Sequence, residues 1–193
     1  EEIVETWYMG YGDPTAGQFY MYPGCFGWSE DLRNDPYDPD LAKALMKEAG
    51  YPEKYADPTI HIFTTAAGQD YILLLMGYWE KVGLKVKLEI LDSTIYTSYF
   101  FNFSRIKPTD PNVGWIFTWT FQSFFNCMYH SSNMYTSWGV HNVGQDPVID
   151  KLYLKAANEA DPKLSAQYFA EFQAAAKQMY WNIGICTFET LIV

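Results

Sequence analysis

The chain has 193 residues, 49% of them hydrophobic and only 19% charged, which excludes a disordered protein and is enough for one large domain or two small ones. Its formal net charge of −10 excludes a nucleic-acid partner, because phosphate binding needs clustered Lys and Arg and the densest basic group is Lys81, Lys85 and Lys87. Aromatic residues make up 19%, an excess suited to binding clefts, where rings give large contact area at low entropy cost.

Glu1-Glu2 has neither the basic region nor the small-residue cleavage site of a secretory leader, so either a leader has been removed or the chain starts inside a longer protein. Glu2 to Tyr8 reads as the end of a helix stopped by Gly10 and Gly12. Tyr11 to Pro36 is a long connection with Tyr22, Phe26 and Trp28 along it, and loops of that length are commonly either functional or draped over a surface. Next comes Tyr-Asp-Pro-Asp-Leu-Ala-Lys-Ala-Leu-Met-Lys-Glu-Ala-Gly-Tyr-Pro, from Tyr37 to Pro52. Asp38 is a helix cap and Pro39 fits the first helical position, where no donor is lost. Leu41, Ala44, Leu45 and Ala49 fall on one face, and Gly50 then Pro52 end the helix.

Thr59 to Thr64 reads as a strand. Ile72, Leu75, Met76, Trp79 and Val82 recur at helical spacing up to Gly83. Tyr71 to Trp79, the longest apolar run, is too short to cross a bilayer, so the sequence reads as soluble. Leu84, Val86, Leu88 and Ile90 alternate with Lys85, Lys87 and Glu89, the period of a half-solvated strand. Strand, helix, strand at this spacing predicts a right-handed parallel crossover. Thr94 to Phe103 suggests a short helix or turn, Lys107 to Asn112 a loop, Val113 to Thr120 a strand and Phe121 to Tyr129 another helix. His130 to Gln145 is a second long loop. Asp146-Pro147 and Asp161-Pro162 repeat the cap-and-proline signature and open two helices, near 147–159 (Ile149, Leu152, Tyr153 and Ala156 inward) and 162–181 (Leu164, Tyr168, Phe172, Ala175 and Met179 inward). Ile183 to Val193 reads as a final strand.

Chemistry-bearing motifs are scarce. There is no nucleophile elbow, phosphate loop or dinucleotide fingerprint, so no cofactor and no enzymatic activity are expected. His61, His130 and His141 lack metal-ligand spacing, and no metal is expected. Seven of the ten prolines follow Asp, which marks helix starts and turns rather than acid–base pairs. Cys25, Cys127 and Cys186 leave one disulfide plus a thiol and three buried thiols equally open.

Several segments together resemble the C-terminal lobe of the family 5 solute-binding proteins of ABC importers, which serve oligopeptide, dipeptide, nickel and oligosaccharide uptake. Ile3 to Gly12 with Asp13-Pro14 is similar to the family's opening helix and proline region. Tyr37 to Pro52 is its most recognisable phrase, and Met76 to Glu89 resembles its crossover. Gly114-Trp115 stands at its Gly-Trp strand, and Asp146 to Gln178 resembles its paired closing helices. The resemblance implies an α/β fold, one lobe of a type II periplasmic-binding-protein-like architecture with a mixed sheet flanked by helices. Residues 1–193 would form a single C-terminal lobe without its N-terminal lobe: an opening helix and long loop over 1–36, a helix plus strand-helix-strand core over 37–120, and closing helices with a last strand over 146–193. The implied partners are a small-molecule solute, the missing lobe of the same protein and an ABC permease in the membrane. The implied location is periplasmic or extracellular, with lipid anchoring to the cell surface as an option.

The same resemblance marks candidate ligand contacts. Peptide-binding relatives carry Gly-Trp-x-x-Asp in the ligand strand, where the Asp pairs with the ligand's ammonium group. Here Thr118 stands at that position, and a Thr cannot make that charge-assisted bond. An oligosaccharide or another polar neutral solute fits better. Trp115 would stack on it, Thr118 would hydrogen-bond to it, and Asn112 and Tyr99 would line the same rim. Trp115, Phe117 and Trp119 also suit a core face, the ordinary role of an aromatic stripe. Phe26 and Trp28 in the first long loop, and Asn133 and Tyr135 in the second, either line a cleft or anchor their loops. The reading from a different class is a stand-alone aromatic-rich carbohydrate-binding or carbohydrate-active domain, which would need a self-contained pocket with two facing carboxylates.

Overall fold

The computed structural model describes residues 1–15, 23–24, 26–101, 115–117, 146–180 and 184–188, with backbone alone at 99–101, 115–117 and 187–188. The described elements are α1 (Glu2–Tyr8), β1 (Gly12–Asp13), a 3-10 turn (Glu30–Leu32), α2 (Pro39–Ala49), β2 (Thr59–Thr64), α3 (Gln69–Val82), β3 (Lys85–Ile90), α4 (Ser93–Phe101), β4 (Trp115–Phe117), α5 (Pro147–Ala157), α6 (Pro162–Lys177) and β5 (Thr187–Phe188). Their internal contacts divide the chain into two compact units, one of residues 37–121 and one of residues 1–36 with 122–193.

In the unit of 37–121, three parallel strands lie in the order β3-β2-β4. Thr59 to Thr64 pair in register with Lys85 to Ile90, as the strand-helix-strand spacing predicts. Ile62, Phe63 and Thr64 are buried on β2, and Ile72 and Leu75 are buried on α3. Tyr51 fastens the starts of both strands: its hydroxyl donates to the Pro58 carbonyl (2.7 Å) and accepts from the Lys85 N–H (2.7 Å). α3 ends where Gly83 and Leu84 return their N–H groups to the carbonyls of Glu80 (2.9 Å) and Trp79 (3.1 Å). The alternation expected on β3 fails at its last residue, since Ile90 is exposed while Glu89 is drawn partly inward by its ionic partners.

α2 starts as its sequence dictates. The Asp38 carboxylate accepts from the N–H groups of Asp40 (3.1 Å) and Leu41 (2.8 Å), with Pro39 in the first turn. Its docking face is not the one its leucines suggest. Leu41 is 54% exposed and Leu45 55%, and the helix approaches α3 through Met46, whose methyl would lie 3.7 Å from a Cβ built on Gly83. Periodicity located an apolar side, but packing uses the neighbouring row.

In the other unit, β1 and β5 form an antiparallel pair, Gly12 opposite Phe188 and Asp13 opposite Thr187. α5 and α6 pack together and carry the core. Both open on capped Asp-Pro steps: Asp146 accepts from Val148 (2.7 Å) and Ile149 (3.2 Å), and Asp161 from Lys163 (2.8 Å) and Leu164 (3.1 Å). Fully buried Phe172 meets Tyr153 edge-on at 5.7 Å and Phe169 at 6.3 Å. The buried Ser165 hydroxyl donates to the Ala156 carbonyl (3.0 Å) across the helix pair. The inward row of α6 differs from the one its apolar residues predict. Leu164 and Met179 are exposed, and the buried side is Ser165, Phe172, Gln173, Ala176 and Lys177. The helix is rotated because two of its inward residues are polar and bond to a loop backbone. The helix expected over Phe121 to Tyr129 and the loop from His130 to Gln145 lie outside the described residues.

Candidate functional site

β4 is the strand on which the sequence places most candidate contacts. It pairs parallel with β2, with His61 opposite Trp115, Ile62 opposite Ile116 and Phe63 opposite Phe117. That register sets the Trp115 and Phe117 backbone beside the buried middle of the sheet. Tyr99 belongs to α4, of which the backbone is described at that position. Thr118, Trp119, Asn112, Asn133 and Tyr135 lie outside the described residues.

Next to Trp115 in that register, His61 sits within a charged group. Its Nδ1 is 3.4 Å from Glu89 Oε1 and its Nε2 is 3.8 Å from Asp57 Oδ2. Lys87 Nζ donates to the same Glu89 oxygen at 3.1 Å, and this bond chiefly holds the Glu89 carboxyl below its usual range, helped by His61. The Asp57 carboxyl is lowered mainly by hydrogen bonds from Thr59, whose N–H donates to it at 2.9 Å, with the neighbouring His61 ring a smaller cause. These bonds brace the sheet edge. Among the described residues no group of three or more His, Cys, Asp or Glu is arranged to hold a metal ion, and no helix is long and apolar enough to cross a membrane.

The Phe26 and Trp28 segment belongs to the other unit and is tied down along α6. Gln173, fully buried, donates from Nε2 to the Phe26 carbonyl (3.1 Å). Lys177 donates from Nζ to the Asp31 carbonyl (3.2 Å) and pairs with Asp35 Oδ1 (3.2 Å). The Tyr180 hydroxyl donates to Asp35 Oδ2 (2.7 Å). That phenol first, and the Lys177 ammonium after it, hold the Asp35 carboxyl below its usual range. Asn34 Nδ2 adds a bond to the Gly184 carbonyl (2.8 Å), and Leu32 is fully buried. The Phe26 ring stays 52% exposed while its edge meets Phe169 at 5.5 Å. The Trp28 indole donates to Glu30 Oε1 at 3.5 Å and lies under the Arg33 guanidinium, 5.9 Å from the ring centroid. Arg33 itself joins Asp13 (2.7 Å), Thr15 (2.7 Å) and Glu30, linking β1 to the 3-10 turn. The contacts these two aromatics make within their own unit are those of loop anchors.

The sequence reading missed this row of Gln173, Lys177 and Tyr180. Gln173 follows Phe172 and Tyr180 follows Met179, one position on from the inward row that hydropathy picks out, and no local signal marks them. Among the described residues Cys186 has no disulfide partner, and burial raises the pKa of its thiol.

A family model described as bacterial extracellular solute-binding proteins, family 5 Middle, matches residues 1–142. The glutathione-binding protein of Salmonella choleraesuis is 24% identical over 93 residues, 48% of this chain and 18% of the relative. Heme-binding protein A of Haemophilus influenzae is 32% identical over 87 residues, 43% of this chain and 16% of the relative. Among solved structures, the periplasmic binding protein DppA of Helicobacter pylori in complex with the peptide STSA superposes with a TM-score of 0.78 at 16% identity, over 96% of this chain and 35% of that one. The chain thus spans about a third of that solved relative, and the matched stretches are under a fifth of the two curated ones. The superposition is one of fold: helices around a small parallel sheet, as in periplasmic binding proteins.

Proposed function

Because the chain belongs to the bacterial extracellular solute-binding proteins of family 5, we propose that it is the C-terminal ligand-binding lobe of a protein that delivers a small solute to an ABC import permease. The match of the family model across residues 1–142 is the observation that carries this reading. It works outside the cytoplasmic membrane, binds rather than transforms its solute, and needs a second lobe from the remainder of its polypeptide. The relatives are named as binding proteins, for glutathione and for heme, which supports a binding role and a family with varied ligands. The mechanism is closure of two lobes on a bridging ligand, the closed state being favoured by contacts made only there.

Within the 37–121 unit, Trp115 stacks on the solute and Thr118 hydrogen-bonds to it, with Phe117, Trp119, Asn112 and Tyr99 along the same strand and rim. A threonine at position 118 offers no carboxylate to a free ammonium group, so the preferred solute is polar and neutral at that end, such as an oligosaccharide. A thermal-shift screen of this chain and of the full-length gene product tests the proposal with glutathione, the dipeptide Met-Leu, heme and neutral oligosaccharides as probes. A true ligand at one hundred times its Kd stabilises by about 2.7 kcal/mol. Strong shifts confined to free-amine peptides would overturn the reading of Thr118, and turnover of any probe would overturn the binding role.

A further inference from the structure

We draw no further inference here: the strongest candidate, the uncovered apolar row of Tyr37, Leu41 and Leu45 along the outer side of α2, carries none because nothing among the described residues shows what covers it.

Discussion

Replacing Gly27 with alanine tests whether the long loop is built into the fold or merely lies on it. Gly27 has φ +79°, in the left-handed region, and an added Cβ would fall 2.6 Å from Phe169 Cβ, 2.8 Å from Gln173 Nε2 and 3.1 Å from the Ala166 carbonyl oxygen. Left-handed backbone costs an L-residue about 1–2 kcal/mol. Forcing a methyl against a helix side that cannot recede adds about 1–3 kcal/mol. The expected destabilisation is therefore about 2–5 kcal/mol. Gly24 is the internal control. Its φ is +94°, but none of the described residues lies within 4 Å of its added Cβ, so Gly24→Ala should carry the backbone term alone. Urea unfolding of both variants, followed by far-UV circular dichroism, gives the two values, and their difference isolates the contact with α6. Amide exchange over Phe26 to Leu32 should accelerate in Gly27→Ala and not in Gly24→Ala. Equal costs for the two substitutions, or a Gly27→Ala protein within about 0.5 kcal/mol of the parent, would refute the stapled loop.

Phe172→Ala removes the fully buried ring between Tyr153 and Phe169 and should cost about 3–5 kcal/mol in the same assay; a loss under about 1 kcal/mol would contradict its central place in the core. Gly77→Ala should stabilise by about 1 kcal/mol, because the position is inside α3 and no described residue lies within 4 Å of the new Cβ; a lower melting temperature would show a neighbour there. Asp35 titrates below the ordinary carboxyl range when folded, so its stabilisation is complete above the unfolded value of about 3.9. It is lost as pH falls through the lower folded value. Tyr180→Phe should move the Asp35 midpoint upward in a carboxyl NMR titration, and an unmoved midpoint would remove the phenol as the main cause.

Local chemistry was legible where one residue decides the outcome. Asp38, Asp146 and Asp161 each precede proline, and each accepts two N–H groups at a helix start. β2 was equally plain, its six residues rich in β-branched and aromatic side chains. Orientation was less legible. The apolar residues of α2 define a side, but whether a side is covered depends on what meets it, and here Met46 docks while Leu41 and Leu45 face outward. On α6, hydropathy ranks Leu164 and Met179 above Gln173 and Lys177, yet the polar pair is buried because loop carbonyls and a carboxylate await it. Trp115 and Phe117 could be placed on a strand from propensity. Their pairing with His61 and Phe63 is a long-range choice that no local window contains.

The tethers from Gln173, Lys177 and Tyr180 to the opening loop join residues 147, 146 and 145 positions apart. During synthesis that loop emerges before these anchors, so its bonds to Gln173, Lys177 and Tyr180 cannot form until α6 has left the ribosome. Contacts of such long sequence separation form late, after loop closure has been overcome. A chain truncated before Gln173 therefore loses more than the end of a helix: three tethers of its opening loop go with it, and proteases should cut that loop sooner.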